Sequence, residues 1–252
     1  HPYKWATIGK EVSHIENATM KDVKAFFKKH YLPNNAILTV AGNVELEEIK
    51  ELAKKWFESI PSGSITKRNL PKEPIQTKER RLTVERDVPA NAIYKAYKMC
   101  AKKHKDYFIT DLLSDVISLG KSSRFHISLI KEQKLFSEIN AFISGSFDEG
   151  LFTITGKLSE NVSSEIAEKA ILKELEIIKT DLVSETELTK VKNKIESTSQ
   201  FSETSALNKA MNLSFAELIG DANDVNLEVE HYQKVTSKDI RRVANEILID
   251  SN

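Results

Sequence analysis

Cysteine is nearly absent: the 252 residues contain one, Cys100. A single thiol can form neither an internal disulfide nor a thiolate metal cluster. It closes an alternating apolar run, where a small buried side chain is its ordinary role. The nearest histidine in sequence, His104, lies on a lysine-rich turn, which argues against a nucleophile. Glycine and proline are scarce too, at eight and six residues, so long linker-like or disordered tracts are excluded. No apolar run approaches the ~20 residues of a membrane-spanning helix. An excess of one charge is also missing, with 37 Lys and Arg against 37 Asp and Glu. Nothing electrostatic therefore draws the chain to nucleic acid or to an acidic surface.

What remains is an ordinary globular composition, 40% apolar and 29% charged, long enough for one large domain or two smaller ones. The sequence opens on His1 instead of Met, which leads to the expectation of a piece cut from a longer chain.

Residues 1–18 read as irregular. Thr19, with Asp22 three positions on, predicts a capped helix carrying the apolar stripe Val23, Phe26, Phe27, His30 and Tyr31. Pro33 stops it, because the residue before a proline avoids helical geometry. Ala36–Gly42, apolar and bounded by turn residues, predicts a buried strand. A helix over about 45–59 follows, with Ile49, Leu52, Ala53, Trp56 and Phe57 on one face. Pro61, Gly63, Pro71 and Pro74 then punctuate a polar, basic linker. Beyond it, alternation predicts strands over 80–88 and 93–100. A helix over 106–119 is closed by Gly120, and a second one starts at Ser122 or Ser123 and runs to about Gln133. Strands over 136–144 and 151–158 are joined by a hairpin-type loop over 145–150. The remainder, about 162–249, reads as helices, among them the stripe Ile166, Ala170, Leu175, Ile178 and the charge-rich helix over 185–200. This order predicts an α+β fold with an antiparallel sheet covered on one face by helices.

One pattern occurs twice. Thr19-Met-Lys-Asp22-Val-Lys is followed twelve residues after Thr19 by Tyr31-Leu32; Thr236-Ser-Lys-Asp239-Ile-Arg is followed at the same distance by Leu248-Ile249. Two helices can share a start signal by chance. The other reading is a duplicated domain, with the tail of one copy and most of a second. In that reading the second copy ends at Asn252, where its last strand would begin. The Ala36–Gly42 strand would then lack its own sheet and pair elsewhere, at the edge left in the second copy or in a neighbouring molecule.

Three segments carry a family resemblance. The first is His1-Pro2-Tyr3, Ile8-Gly9, the Asp22 helix, Tyr31-Leu-Pro-Asn-Asn-Ala36 and Val40-Ala-Gly42. The second is Gly120-Lys-Ser-Ser-Arg-Phe125, and the third is Glu187-Leu-Thr-Lys-Val-Lys-Asn-Lys-Ile-Glu196. In this order they resemble the pitrilysin/insulinase family of zinc metallopeptidases, which includes the mitochondrial processing peptidases. The resemblance implies paired homologous α+β domains. It places residues 1–63 at the C-terminal part of a first, metal-site domain, 64–79 in a linker, and 80–252 in a second, inactive peptidase-like domain truncated before its last strand.

The family's catalytic signature is His-x-x-Glu-His with a distant Glu. Two His and a Glu hold Zn²⁺, a water takes the fourth position, and the motif's own Glu is the general base. The histidines here, His1, His14, His30, His104, His126 and His231, show no such pairing. The resemblance therefore implies zinc in the parent protein, on residues preceding His1, and none bound by this chain. The family also places an Arg and a Tyr on the second domain to hold substrate. The alignment puts Ile130 and Ser137 there; the first has no donor and the second is too short to replace a phenol. Ser122, Ser123 and Arg124, at a helix start, are substrate-contact candidates, since main-chain N–H groups and a cation could meet a peptide carbonyl or carboxylate. The alternative for Arg124 is a salt bridge within a capped helix.

Three functions follow. The chain is part of a zinc endopeptidase that clamps peptide or unfolded protein against its zinc domain. Alternatively it belongs to a non-catalytic partner or scaffold subunit of a homo- or heterodimer, or it is an α+β interaction domain outside the family. A bacterial periplasmic or cytoplasmic setting is compatible with the resemblance. The purified chain is expected to carry no stoichiometric zinc and to cleave no peptide; one zinc per chain in elemental analysis would overturn this.

Overall fold

The computed structural model describes residues 8–65, 69–145 and 147–252. The chain divides into two units, residues 1–75 with 203–223 (unit 1) and 76–202 with 224–252 (unit 2).

Unit 2 holds a three-stranded antiparallel sheet: β1 (Ala92–Met99), β2 (Phe136–Ser144) and β3 (Gly150–Leu158), in the order β1-β3-β2. Alternate residues of β3 face inward, Phe152, Ile154 and Leu158 being buried, while Leu151 on the other face is exposed. A bulge between Phe136 and Glu138 lets both Phe136 and Ile139 point into the core, since an extra residue resets the two-residue period. Gly156 is required opposite it: a Cβ there would lie 2.6 Å from the Phe136 ring.

Four helices cover this face: α4 (Tyr107–Ser118), α5 (Ser164–Thr180), α6 (Glu185–Ser202) and α9 (Ser237–Ile247). The core is built from their apolar stripes, led by Leu112, Leu113, Ile117, Ile171, Ile178 and Ile240 with Phe125 and Phe152. Ile166, at the start of the stripe read on α5, is exposed. α8 (Asp224–Lys234) packs against α4 and α6. Polar side chains fix the layers. Arg242 of α9 clasps Asp106 before α4 (2.6 Å). Ser118 of α4 donates to the Ala141 carbonyl and accepts from the Ala141 N–H, both at 2.8 Å. These two groups point away from β3, so α4 closes the outer edge of β2 at that residue.

Two predicted strands do not form. Residues 80–88 form no strand with any described residue; Leu82, Val84 and Val88 are exposed, and Arg81 is held instead by Glu168 of α5, which also binds Lys95 of β1. Alternation says which faces a strand would present, not whether a neighbour exists. The helix predicted to end at Gln133 is present, but residues His126–Glu132 are wound as a π-helix.

Unit 1 contains α1 (Ser13–Glu16), α2 (Met20–His30), a 3₁₀ turn (Pro33–Asn35), α3 (Leu46–Phe57) and α7 (Ala206–Ile219). α2 starts with the predicted capping box between Thr19 and Asp22. Asn34 grips both main-chain groups of Gly63, at 2.8 and 3.2 Å. Ala36–Gly42 is not a strand. No strand is present among the described residues of unit 1, so the segment has no ladder to join; its Thr39 hydroxyl accepts from Ser214 of α7 (2.7 Å). No described residue of unit 1 is buried. Residues 66–68, within the predicted linker, and Ser146, within the predicted hairpin loop, lie outside the described residues.

Replacing Ser118 with Ala should strand the Ala141 N–H and C=O without partners. The expected cost is about 1–3 kcal/mol, read as a lower urea midpoint with an unchanged slope.

Candidate functional site

The segment Gly120–Arg124 follows α4. Gly120 adopts φ +78°, the left-handed conformation that ends the helix. From there the three candidate residues take different positions. Ser122 is exposed, and both its carbonyl (3.2 Å) and its hydroxyl (3.0 Å) receive the Lys190 ammonium of α6. Ser123 is buried and donates to the Gly120 carbonyl at 2.7 Å, closing the turn.

Arg124 is mostly buried, its side chain 17% exposed, and it forms a two-point pair with Glu187 of α6: Nε at 2.9 Å and Nη2 at 3.1 Å. Its remaining Nη1 is buried and makes no hydrogen bond. Glu187 has a second task. It accepts from the Ser184 N–H and hydroxyl while its own N–H binds the Ser184 hydroxyl, which caps α6. The Arg124 guanidinium beside it and these donors hold the Glu187 carboxyl down at about 2. The Ser-x-x-Glu spacing at 184–187 is legible as a cap. Its pairing with a residue 63 positions away is not.

Ile130, where the resemblance places a substrate-holding Arg, is half-buried and packs against the core. Ser137, in the Tyr position, sits at the bulge of β2 and donates to the Lys157 carbonyl (3.3 Å). Both are used within the fold.

Among the described residues no three His, Cys, Asp or Glu side chains come together as a metal site. His231 stacks on Phe108, His30 lies against Phe26, and the His104 Nδ1 accepts from the Asp106 N–H. Cys100 is half-buried, and burial pushes its thiol up. The donor set of a zinc centre is therefore not offered by these residues. His1-Pro2-Tyr3, part of the resemblance, lies outside the described residues. No helix among them is long and apolar enough to cross a membrane.

The geometry is thus an antiparallel sheet roofed by helices, with Ser123, Arg124, Ile130 and Ser137 engaged within the fold. The chain belongs to the M16 metallopeptidases: the family model "Peptidase M16 inactive domain" matches residues 17–195. The zinc protease PqqE of Helicobacter pylori is 35% identical over 197 residues, 76% of this chain and 44% of that protein. The mitochondrial-processing peptidase subunit beta of Saccharomyces cerevisiae is 25% identical over 201 residues, 74% of this chain and 43% of that one. The chain thus spans about half the length of the curated relatives it matches. A crystal structure of a protease from Helicobacter pylori superposes with a TM-score of 0.90 at 31% identity, over all of this chain and 61% of that one. The M16 inactive domain from Pseudomonas fluorescens, at 17% identity and a TM-score of 0.83 over all of this chain and 59% of that one, shares the fold.

Glu187→Ala should leave the Arg124 guanidinium unpaired in a mostly buried setting. The expected cost is about 2–3 kcal/mol near neutral pH, below the full cost for a buried pair because Glu187 is 30% exposed. Because the folded carboxyl is depressed, its contribution is complete above the ordinary carboxyl range and is lost as pH falls through about 2. The difference between variant and wild type should shrink over that window in chemical denaturation.

Proposed function

We propose that this chain is the non-catalytic half of a zinc-dependent endopeptidase, walling the substrate chamber and seating the zinc-bearing domain. The observation that carries this is a comparison of two helices. α2 and α9 share a capping box, Thr19 with Asp22 and Thr236 with Asp239. Both end on an asparagine whose side chain donates to the carbonyl five residues back, Asn35 to His30 and Asn252 to Ile247. In α9 the stripe Ile240, Val243, Ala244 and Leu248 is 0–5% exposed, packed within the layer of α4, α5 and β1. In α2 the matching stripe Val23, Phe26, Phe27 and Tyr31 is 55–64% exposed.

Covering a large apolar side chain contributes about 1.5–3 kcal/mol, so the α2 stripe favours a cover of substantial size. By the repeat, that cover is a sheet-and-helix layer like the one over α9, belonging to a second peptidase-like domain. Residues 1–63 then complete that first domain, 64–79 link, and 80–252 form the inactive one. Zinc and the attacking water sit on the partner domain, and peptide or unfolded protein is held between the two.

A second reading, a partner subunit of a heterodimer lacking zinc of its own, is favoured by Ile130 and Ser137 standing where the family's substrate-holding pair belongs. Zinc content and peptidase activity of the full-length protein, with and without neighbouring subunits, separate the two. In the full-length protein, Phe26→Asp with Phe27→Asp should abolish peptidase activity and release the domains to limited proteolysis. Unchanged activity and protection would exclude a covered α2 face.

A further inference from the structure

α2 and α9 agree beyond their caps, through the turn by which the chain leaves each helix. The closing residues Tyr31 and Leu248 take similar main-chain angles, φ −93° with ψ 73° and φ −87° with ψ 59°. Each N–H bonds the carbonyl four residues back, on Phe27 and on Ala244. The Asn35 N–H then bonds the Leu32 carbonyl (2.9 Å), and the Asn252 N–H bonds the Ile249 carbonyl (3.1 Å). Main-chain geometry sets the direction of a chain, so both helices send it off alike as far as the asparagine.

The two asparagine side chains differ in one bond. Asn252 divides its amide between the Ile247 carbonyl (2.7 Å) and the Lys98 carbonyl of β1 (2.9 Å). Across the β1–β3 pair the Leu158 N–H bonds the Asn91 carbonyl, and antiparallel bonding alternates from there. The main-chain groups of Tyr94, Ala96 and Lys98 therefore point to the outer edge of β1, and Asn252 stands on that edge. Asn35 makes the first of the two bonds, to the His30 carbonyl (2.8 Å), and its second amide N–H has no partner among the described residues. Ala36, the next residue, is already extended (φ −130°, ψ 146°). No main-chain bond joins residues 37–42 to another described residue, and Ile37, Leu38 and Val40 are 41–61% exposed.

We propose that Ala36–Gly42 is a docking strand: on assembly with the first peptidase-like domain it adds to that domain's sheet beside the counterpart of β1, and the second amide N–H of Asn35 takes a carbonyl of that counterpart. This strand presupposes the covering domain proposed above for the α2 stripe, and it fixes where that domain's sheet meets the chain. The partner is a strand edge lying next to the layer over Val23, Phe26, Phe27 and Tyr31, as the edge of β1 lies next to the layer over α9. An extended segment with unpaired donors and acceptors gains a ladder at such an edge. Its near-continuous apolar run fits a strand covered on both faces.

The test is amide hydrogen exchange over residues 36–42, in this chain by itself and in the full-length protein. In this chain those amides should exchange near the intrinsic rate. In the full-length protein they should slow by on the order of a hundredfold or more, as paired strands do. Asn35→Asp keeps the shape and removes the donor; it should cost on the order of tenfold of that protection and leave α9 unchanged. The wild-type comparison stands whether or not this variant folds. In the full-length protein, fast exchange over 36–42 with α2 protected overturns the docking strand alone, and fast exchange over both overturns the covering domain as well. Protection that is already present in this chain by itself and grows with its concentration places the segment on a second copy, which also overturns the proposal. An Asn35→Asp variant that keeps full protection overturns the anchoring by Asn35.

Discussion

An amphipathic helix is held in place by whatever covers its apolar stripe, since few helices of eleven residues persist on local bonds alone. In unit 2 that constraint is met at α9, and much else follows from it. The stripe from Ile240 to Leu248 draws α4, α5 and β1 into one layer. Polar contacts then fix the helix against sliding: Arg242 to Asp106, Asn245 to the Lys179 carbonyl, and Asn252 to the Lys98 carbonyl on β1. α2 has the same cap, the same length and the same closing asparagine, yet its stripe is exposed. The local code of the two helices is alike. The difference lies in what each has to lean on.

The sequence was most legible where the signal is local. Both capping boxes, the glycine end of α4, the three sheet strands and the inward stripe of α4 follow from spacing that a single element dictates. It was least legible where a segment needs a partner. Ala36–Gly42 and residues 80–88 carry strand-like patterns, but a strand is a relation between two segments, and pattern alone reports one of them. Ile166 fits the period of α5 and still faces solvent, because periodicity does not fix where a buried stripe ends. The π-winding of His126–Glu132 left no mark either. Within it Ser128 bonds Glu174 of α5, and Gln133 reaches back five residues to Ser128.

The candidate site shows the same division. That Gly120–Arg124 is a special turn could be read from composition, and the turn is there. Which way each side chain points depends on α6, whose Lys190 donates to Ser122 and whose Glu187 accepts from Arg124, each across more than sixty residues. A guanidinium engaged at Nε and Nη2 and buried at Nη1 has little left to offer a ligand. Its visible work is to tie the end of α4 to the capped start of α6. Ile130 and Ser137 fit this picture: where catalytic side chains would need to reach outward, this chain uses the positions for packing and for an edge hydrogen bond.

The charged groups of unit 2 divide by how they respond to protons. Glu168, Glu187 and Asp106 each face a cation, and each carboxyl is held below its ordinary range. Such pairs weaken only in acid. Asp111 and Asp115 face a phenol and each other and are raised, so their contribution runs the opposite way. The first group ties the β1–α5 layer, the start of α6 and the α9 seat; Asp111 lies where α8 meets α4. The ties that hold the core layers together are therefore complete across the neutral range.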